Sequence, residues 1–198
     1  MLPTALLLLS VLASPAAAAD PVAVTLYYES LCPYCRDFIV GSFSEAWEAV
    51  PEIMDVTFLP WGNERSYEQA DGSVEFSCQH GEQECYLNVV HACALKMAPS
   101  NTVGINFIVC MESNGQDTLA CAAQNSLDGA ALESCAVDPA MDAEMLRLRD
   151  ITDAAEPALR GVPTVEVNGS QHPQNEIIND LLTVVCREYQ GTKPAGCP

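Results

Sequence analysis

Hydrophobic residues recur first at strand spacing and then at helix spacing in the N-terminal third of the chain. Val22–Tyr28 (VAVTLYY) combines β-branched and aromatic residues with few polar ones, which predicts a buried strand. Residues 54–59 (MDVTFL) alternate and predict a second strand. Between them, apolar side chains at helical spacing predict a helix that Pro51 ends: Phe38, Ile39, Phe43, Ala46, Trp47 and Val50. A strand, a helix and a strand joined by short links predict a βαβ unit, and therefore an α/β fold.

The middle of the chain loses this strand pattern. Residues 64–77 are polar and rich in turn formers, and we expect a loop there. Residues 82–97 have a helical pattern that stops before Pro99. Residues 100–157 predict several short helices and a returning helix over about 140–156, with interruptions at Gly104, Gly115, Gly129 and Pro139.

A strand pattern returns near the C-terminus. Residues 162–167 (VPTVEV) predict a strand, and the Asn168-Gly169 pair directly after it predicts the two-residue turn of a hairpin. One last helix is predicted beyond this turn, with its apolar residues facing inward: Ile177, Ile178, Leu181, Leu182, Val184 and Val185.

The first nineteen residues resemble a secretory signal peptide. Residues 6–12 form a short apolar core, and three alanines at 17–19 supply small residues for cleavage before Asp20. This run is too short to span a bilayer of about 30 Å, and no later segment reaches about 18 apolar residues without a charge. We therefore expect one domain over residues 20–198 that enters the secretory pathway and does not insert into a membrane.

Charge and cysteine content narrow the classes of function. The formal net charge of −19 argues against partners such as nucleic acid and anionic membrane surfaces, which require a basic patch. An acidic chain also suits an acidic organelle, although many secreted proteins are acidic too. The chain has 10 cysteines, and in an oxidising compartment most of them should form disulfides.

Cys32 and Cys35 are separated by two residues, a spacing that suits a structural disulfide, half of a metal site or a redox pair. They lie where the predicted strand ends and the predicted helix begins. A helix N-terminus lowers a thiol pKa, and Pro33 suits the first helical turn because it has no N–H. This placement favours redox chemistry, with Cys32 as the nucleophile and Cys35 as the resolving thiol.

Zinc would require a second closely spaced pair of ligands. The nearby candidates are Cys78, His80, Cys85, His91 and Cys93, and their spacing does not form a second Cys-x-x-Cys. We therefore expect no metal and no cofactor.

Pro163 is a second candidate feature of the site. In a redox fold of this kind, a proline before a late strand is often cis and lies beside the cysteine pair, although the sequence does not determine the isomer. The backbone of Val162 would then be available to pair with an extended peptide. We predict substrate contacts at Val162, Pro163, Pro33 and Tyr34.

Residues 78–93 (CQHGEQECYLNVVHAC) are similar to the signature of the gamma-interferon-inducible lysosomal thiol reductase family. The matching positions are Cys78, Gln79, His80, Gly81, Glu84, Cys85, Asn88 and Cys93. The resemblance continues at residues 60–63 (PWGN), 162–163 (VP), 167–169 (VNG) and in the tail from residue 184 onward. It therefore covers nearly the whole mature chain.

This resemblance implies a thioredoxin-like fold with a disulfide-rich helical insertion over about residues 70–145. It also implies an enzyme that reduces protein disulfides at acidic pH in a lysosome, endosome or vacuole, or after secretion. Its partners would be disulfide-containing proteins, with a small thiol reductant as electron donor. Pro163 would occupy the cis-proline loop, and we expect Gln79, His80 and Asn88 to satisfy backbone groups within the insertion.

The Pro33-Tyr34 pair departs from vertebrate members and resembles glutaredoxins. Residues between the cysteines tune the relative stability of dithiol and disulfide, so a secretory-pathway oxidase or isomerase on the same fold is the alternative. A third alternative is a cysteine-rich interaction protein in which the Cys32–Cys35 pair is inert.

The other eight cysteines are expected in structural disulfides, and about 105 complete pairings exist. They are Cys78, Cys85, Cys93, Cys110, Cys121, Cys135, Cys186 and Cys197. Cys186 and Cys197 are close enough in the chain to close a local loop, whereas the sequence leaves the remaining pairing open. Asn168-Gly169-Ser170 is a candidate glycosylation sequence.

Overall fold

The computed structural model describes residues 19–198. The predicted secretory signal, apart from Ala19, lies outside the described residues. Within residues 19–198, no helix is both long enough and apolar enough to cross a membrane.

A three-stranded sheet forms the centre of the fold, with its first strand between the other two. Strands β1 (Val22–Tyr28) and β2 (Met54–Pro60) are parallel and pair along their whole length, from Val22 opposite Met54 onward. Strand β5 (Thr164–Val167) runs antiparallel on the other side of β1. All three predicted strands are confirmed, and the central strand β1 is almost entirely buried because helices cover the sheet.

The segment that crosses from β1 to β2 is helical, as predicted, but it is not one regular α-helix. Helix α1 (Pro33–Phe38) continues through a π-helical turn (Ile39–Phe43) into α2 (Ser44–Ala49). Within that turn, Gly41 has φ −101° and ψ −108°. Apolar spacing could not reveal this irregularity, because the buried residues Phe38, Ile39, Phe43 and Ala46 are also spaced as on one face of a regular α-helix.

Residues 64–77 are not the loop that their composition predicted. They form a hairpin of β3 (Arg65–Glu68) and β4 (Val74–Ser77). One face of this ribbon is exposed and the other is only partly buried, and each strand has four residues, so the apolar alternation is too short and too weak to predict a strand. Phe76 is partly buried, and its ring centroid lies 6.0 Å from that of Trp61.

Five helices lie between the hairpin and β5. They are α3 (Glu82–Met97), α4 (Asn101–Ser113), α5 (Thr118–Gln124), α6 (Gly129–Ala136) and α7 (Met141–Asp153). The prediction for the first of these is confirmed residue for residue, and the predicted returning helix corresponds to α7.

Gly104 was predicted to interrupt a helix, and that prediction was wrong. It lies inside α4, where a Cβ atom would come within 3.3 Å of the Leu95 side chain on α3. The glycine therefore permits close packing of two helices rather than ending one.

Four disulfides stabilise the structure. Cys78 is joined to Cys85, Cys93 to Cys135, Cys110 to Cys121, and Cys186 to Cys197. The second links α3 to α6 and the third links α4 to α5, so the covalent bridges are concentrated among the helices. Cys32 and Cys35 are free thiols.

The C-terminal region differs from its prediction at two points. Asn168 and Gly169 have φ values of 50° and 75° and form the predicted turn, but the chain beyond Ser170 does not continue as a strand. The last helix is divided into α8 (Gln174–Asn179) and α9 (Leu181–Glu188). Asp180 separates them and caps α9, since its carboxylate accepts the N–H of Thr183 over 3.1 Å.

Candidate active site

Cys32 is the N-cap residue of α1, with extended backbone angles, and Pro33 follows it in the first turn. The backbone N–H of Cys35 donates to the Cys32 Sγ over 3.4 Å. The pKa of Cys32 is lowered to about 6, chiefly by the hydrogen bond from the Cys35 thiol and further by backbone N–H groups of Cys35 and Tyr34. The field of His80 also lowers this pKa, whereas burial opposes the shift. Cys32 is therefore suited to react as a thiolate.

Cys35 is fully buried one helical turn further along. Burial raises its pKa far above that of an ordinary thiol, and the hydrogen bond to Cys32 raises it further. The two sulfurs of one short motif therefore differ strongly in acidity. Such an arrangement can support nucleophilic attack by one thiol and later resolution by the other.

The start of β5 lies beside the cysteine pair. The Val162–Pro163 peptide bond is cis, and the Val162 carbonyl oxygen is 3.8 Å from the Cys32 Sγ. Pro33 is exposed, and Tyr34 has 75% of its surface exposed. The structure thus brings residues 32, 35 and 162 together, with the exposed Pro33-Tyr34 pair next to them.

The loop between β1 and α1 is held by side chains from α3 and from the connection between α4 and α5. Asn88 Oδ1 accepts the Ser30 N–H over 2.9 Å, and Glu84 Oε2 accepts the Leu31 N–H over 3.3 Å. Gln116 Nε2 donates to the Ser30 carbonyl oxygen over 2.7 Å. Asn88 does satisfy a backbone group, as expected, but its partner belongs to the loop that carries Cys32 and not to the helical region.

The other two polar signature residues have different partners. Gln79 Oε1 accepts a hydrogen bond from the Asn63 side-chain amide over 2.9 Å. His80 Nδ1 lies 2.6 Å from Glu84 Oε2, and the His80 N–H donates to Glu84 Oε1 over 2.8 Å. Neither side chain binds the backbone of the insertion, so the expectation for these two residues was wrong.

Four buried glutamates surround this region, and the sequence did not identify them as site residues: Glu29, Glu64, Glu84 and Glu112. Burial raises the pKa of Glu29 to about 7 and the pKa values of Glu64 and Glu112 to about 8. None of the Lys or Arg salt bridges in residues 19–198 involves any of the four. In the sequence, Glu29 and Glu84 could be noticed only because they lie within motifs. The burial of an acidic residue depends on the tertiary structure and could not be read from the sequence.

A compact cluster lies beside the loop that carries Cys32 and consists of Glu29, His80 and Glu84. One donor atom from each lies within 4.8 Å of the others, a spacing that could hold a metal ion. A hydrogen bond already joins His80 to Glu84, however, and the cysteines considered as zinc ligands form disulfides. Their sulfurs are therefore committed to structural bonds.

Gly62 explains how Glu29 reaches this position. Its φ is +59°, and a Cβ atom on it would lie 2.5 Å from Glu29 Cγ. The next residue, Asn63, donates its backbone N–H to Glu29 Oε1 over 2.6 Å. The PWGN segment thus forms the turn against which the Glu29 side chain packs.

His91 lies beneath the site and is completely buried. Its Nδ1 is 3.0 Å from the Tyr28 hydroxyl and its Nε2 is 3.1 Å from Gln116 Oε1. Burial lowers the pKa of His91 to about 4, so the ring is neutral over most of the acidic range. Through Gln116 it supports the loop that precedes Cys32.

Sequence comparisons agree with the motifs. A family model described as gamma interferon inducible lysosomal thiol reductase (GILT) matches residues 23–138. A Mus musculus protein named gamma-interferon-inducible lysosomal thiol reductase is 39% identical over 189 residues, which cover 92% of this chain and 74% of that protein. A Carassius auratus protein of the same name is 35% identical over 189 residues, which cover 90% of this chain and 73% of that protein.

Structural comparisons identify the fold. Bacillus subtilis BdbD in its oxidised form superposes with a TM-score of 0.58 at 14% identity, covering 80% of this chain and 84% of that one. Chlamydia trachomatis DsbA gives a TM-score of 0.53 at 11% identity and covers 76% of each chain. The prediction of a thioredoxin-like α/β fold with disulfide-rich helices is confirmed.

Proposed function

The chain belongs to the gamma-interferon-inducible lysosomal thiol reductase family and is a thiol oxidoreductase; we propose that it reduces protein disulfides at acidic pH through Cys32 and Cys35. The observation that best supports this proposal is the difference in acidity between the two thiols. Cys32 has a lowered pKa at a helix start, and the free thiol of Cys35 is fully buried behind it. The remaining eight cysteines are paired.

The reaction has two exchange steps. The Cys32 thiolate attacks one sulfur of a substrate disulfide, the substrate S–S bond breaks, and the other substrate sulfur leaves as a thiolate that takes up a proton. Cys35 then loses its proton and attacks Cys32 Sγ, which releases the second substrate thiol and leaves a Cys32–Cys35 disulfide. Two electrons pass to the substrate, and two equivalents of a small thiol reductant would restore the dithiol.

The lowered pKa of Cys32 supports activity in acid. At about pH 4.5, a thiol with a pKa of about 6 is about 3% ionised, whereas an ordinary thiol is only about 0.01% ionised. The reactive fraction is thus larger by more than two orders of magnitude. Competing small thiols of ordinary pKa remain protonated under the same conditions.

The surface beside Cys32 suits an extended, partly unfolded polypeptide. The Val162 carbonyl group lies close to the sulfur, and an extended segment could pair with the backbone at Val162 and Pro163. The exposed ring of Tyr34 and the Pro33 ring would add apolar contacts on the other side. These four residues form the proposed substrate-binding surface.

A disulfide oxidase is the second candidate, and it is favoured by the same lowered pKa. Stabilising the Cys32 thiolate stabilises the reduced enzyme, which makes the disulfide form a stronger oxidant. The redox potential decides between the two functions: a value nearer about −120 mV than about −270 mV favours oxidation.

The relatives are named lysosomal thiol reductases, and we place this chain in the same kind of acidic compartment or outside the cell. Residues 1–19 would direct it there as a secretory signal. Asn168 is exposed in its Asn-Gly-Ser sequence and is the proposed glycosylation site.

The deciding experiment follows reduction of a denatured, disulfide-containing protein between pH 4 and 8. We expect greater activity at pH 5 than at pH 8, no activity in Cys32→Ser, and trapped mixed disulfides in Cys35→Ser. Full activity of Cys32→Ser would refute the assigned nucleophile. Activity confined to neutral pH would refute the acidic function while leaving the family unchanged.

A further inference from the structure

The signature residues His80 and Glu84, together with Glu29, are attached directly to the loop that carries the nucleophile. The Glu29 carbonyl oxygen accepts the Cys32 N–H over 3.3 Å, and Glu84 Oε2 accepts the N–H of Leu31. Both glutamate side chains are buried, whereas 32% of the His80 side chain is exposed. The cluster therefore extends from the interior, through the cysteine loop, to solvent.

Backbone groups orient the two carboxylates toward the imidazole. Glu29 Oε1 accepts from Asn63 N–H and Glu84 Oε1 accepts from His80 N–H, at 2.6 and 2.8 Å. The second oxygens face His80 Nδ1, at 2.6 Å for Glu84 and 3.8 Å for Glu29. Glu29 Oε2 is buried and has no hydrogen-bond partner, so its charge is compensated only weakly, by the 3.8 Å contact with His80 Nδ1.

We propose that His80 and Glu29 are positioning residues that act on Cys32 in opposite directions, so that protonated His80 stabilises its thiolate and ionised Glu29 destabilises it. This inference rests on the proposed reaction of Cys32 and assigns to the signature histidine a role in acidic operation. Neither residue touches the substrate disulfide. Both residues act by changing the electrostatic potential at the Cys32 sulfur.

The charge of the cluster changes over the range of pH that separates a lysosome from the cytosol. Burial raises the pKa of Glu29 to about 7, and a histidine side chain carries a positive charge only when it is protonated. In acid, Glu29 is neutral, and a protonated His80 would form an ion pair with Glu84 across the 2.6 Å contact. As the pH rises through about 7, Glu29 becomes ionised and adds a negative charge to the cluster beside Cys32.

Mutual electrostatic effects connect this cluster to the nucleophile. The charge of Cys32 contributes to the raised pKa of Glu29, and the reciprocal effect disfavours the thiolate when Glu29 is ionised. The field of His80 contributes to the lowered pKa of Cys32. Protonation of Glu29 in acid therefore removes a negative charge that opposes formation of the Cys32 thiolate. Under the same conditions, free thiols become protonated.

The other charged groups near Cys32 do not produce this change. On its own helix, Cys35 remains a thiol, and the exposed Arg36 lies 3.8 Å from the Asp37 carboxylate. Glu112 on α4 is coupled to Cys32, but its pKa is raised to about 8, so it is mostly neutral below pH 7. The cis-proline loop contributes the uncharged Val162 carbonyl.

The test measures the rate of iodoacetamide alkylation at Cys32 against pH in the reduced protein, with the modified residue identified by mass spectrometry. In Glu29→Gln, which keeps an oxygen for Asn63, we expect the thiolate fraction at pH 7 to rise about 3- to 10-fold. In His80→Gln, we expect the thiolate fraction at pH 5 to fall by about 3- to 10-fold. In His80→Lys, which keeps a positive charge, we expect it to recover.

Opposite directions separate charge effects from structural damage, because distortion of the loop would reduce thiolate formation in both variants. Glu45→Gln is the matched control, since it removes one exposed carboxylate from α2 and should leave the alkylation profile unchanged. Shifts in the same direction for Glu29→Gln and His80→Gln, or changes below about 2-fold, would overturn the proposal. Failure of His80→Lys to recover would also overturn it.

Alkylation of Cys32 requires no disulfide substrate. It therefore tests the roles of His80 and Glu29 even if the protein proves unable to reduce protein disulfides. The reductase assay then provides a second readout in the same variants. Glu29→Gln should raise kcat/KM at pH 7 relative to pH 5, and His80→Gln should lower it at pH 5. A pH profile that is identical in the wild type and both variants would contradict the assigned roles.

Discussion

The Asn88 side-chain oxygen accepts the backbone N–H of Ser30 over 2.9 Å, joining residues that are 58 positions apart in the sequence. Ser30 lies two residues before Cys32, the proposed nucleophile, and Asn88 belongs to the family signature. The Asn88 amide also donates to Glu64 Oε2 over 3.0 Å. One side chain of the signature therefore holds both the dithiol loop and a buried carboxylate.

Replacing Asn88 with Ala should destabilise the protein by about 1 to 3 kcal/mol, because two buried polar partners lose their hydrogen bonds. Urea denaturation at pH 6 measures this change. Gln79→Ala is the control, since it removes an exposed amide with an exposed partner and should cost less than about 0.5 kcal/mol. Equal effects of the two substitutions would exclude a special role for the Asn88–Ser30 contact.

One thiolate per chain should form between pH 4 and 8, with a midpoint near pH 6. The hydrogen bonds to Cys32 Sγ cause this shift, whereas buried Cys35 remains protonated. Thiolate absorbance of the reduced protein in the ultraviolet measures the transition, and Cys32→Ser should abolish it. A midpoint near 8.5, or two thiolates per chain, would show that the helix start does not control this thiol.

Folding stability should rise as the pH falls from about 8 to about 6.5. Burial raises the pKa values of Glu64 and Glu112 to about 8, so their contributions are complete below the unfolded-state value of about 4.3 and are lost as the pH rises through 8. Neutral, buried His91 acts in the opposite direction below about pH 6.5 and there offsets one of the two carboxyl contributions, so the slope is steepest above that pH. Urea midpoints of the oxidised protein measure the slope without interference from Cys32.

The variant Glu112→Gln should reduce that slope, because it removes one of the two raised carboxyl groups. Glu52→Gln on the surface should preserve it. A slope that Glu112→Gln leaves unchanged would mean that this carboxyl does not bind a proton differently in the folded and unfolded states.

Gly62→Ala should be more damaging than an ordinary glycine substitution at positive φ. Its Cβ would clash with Glu29 Cγ at 2.5 Å in addition to straining the backbone, whereas Gly72 has a φ of +84° and open space around it. We expect Gly72→Ala to cost about 1 kcal/mol and Gly62→Ala to cost at least about 1 kcal/mol more. Chemical denaturation compares the two, and equal costs would show that Glu29 moves aside freely.

Tyr34→Ala should raise KM for a denatured protein substrate about 3- to 10-fold, because an exposed apolar contact beside Cys32 is lost. The change for a small disulfide that cannot reach Tyr34 should be smaller. Tyr67→Ala removes another exposed tyrosine, on the β3–β4 hairpin, and should change neither value. Equal effects of Tyr34→Ala on both substrates would place Tyr34 outside the protein-binding surface.

Local patterns in the sequence determined the βαβ unit, the start of the helix at Cys32 and helix α3 with its signature, since each depends on neighbouring residues. Apolar spacing could not predict the β3–β4 hairpin, whose short strands are at most partly buried, or the π-helical turn at residues 39–43. It also could not distinguish Gly104 as a packing residue from a helix breaker.

The composition of the site depended on contacts between distant segments. The sequence predicted that Cys32 and Cys35 form a redox pair, and the signature identified the family. Only the tertiary structure placed Glu84, Asn88 and Gln116 around the Ser30–Leu31 loop and buried four glutamates without a Lys or Arg salt bridge among the described residues. The acidity of a thiol or a carboxyl group depends on burial and on charges brought close by folding, and neither can be read from chain spacing.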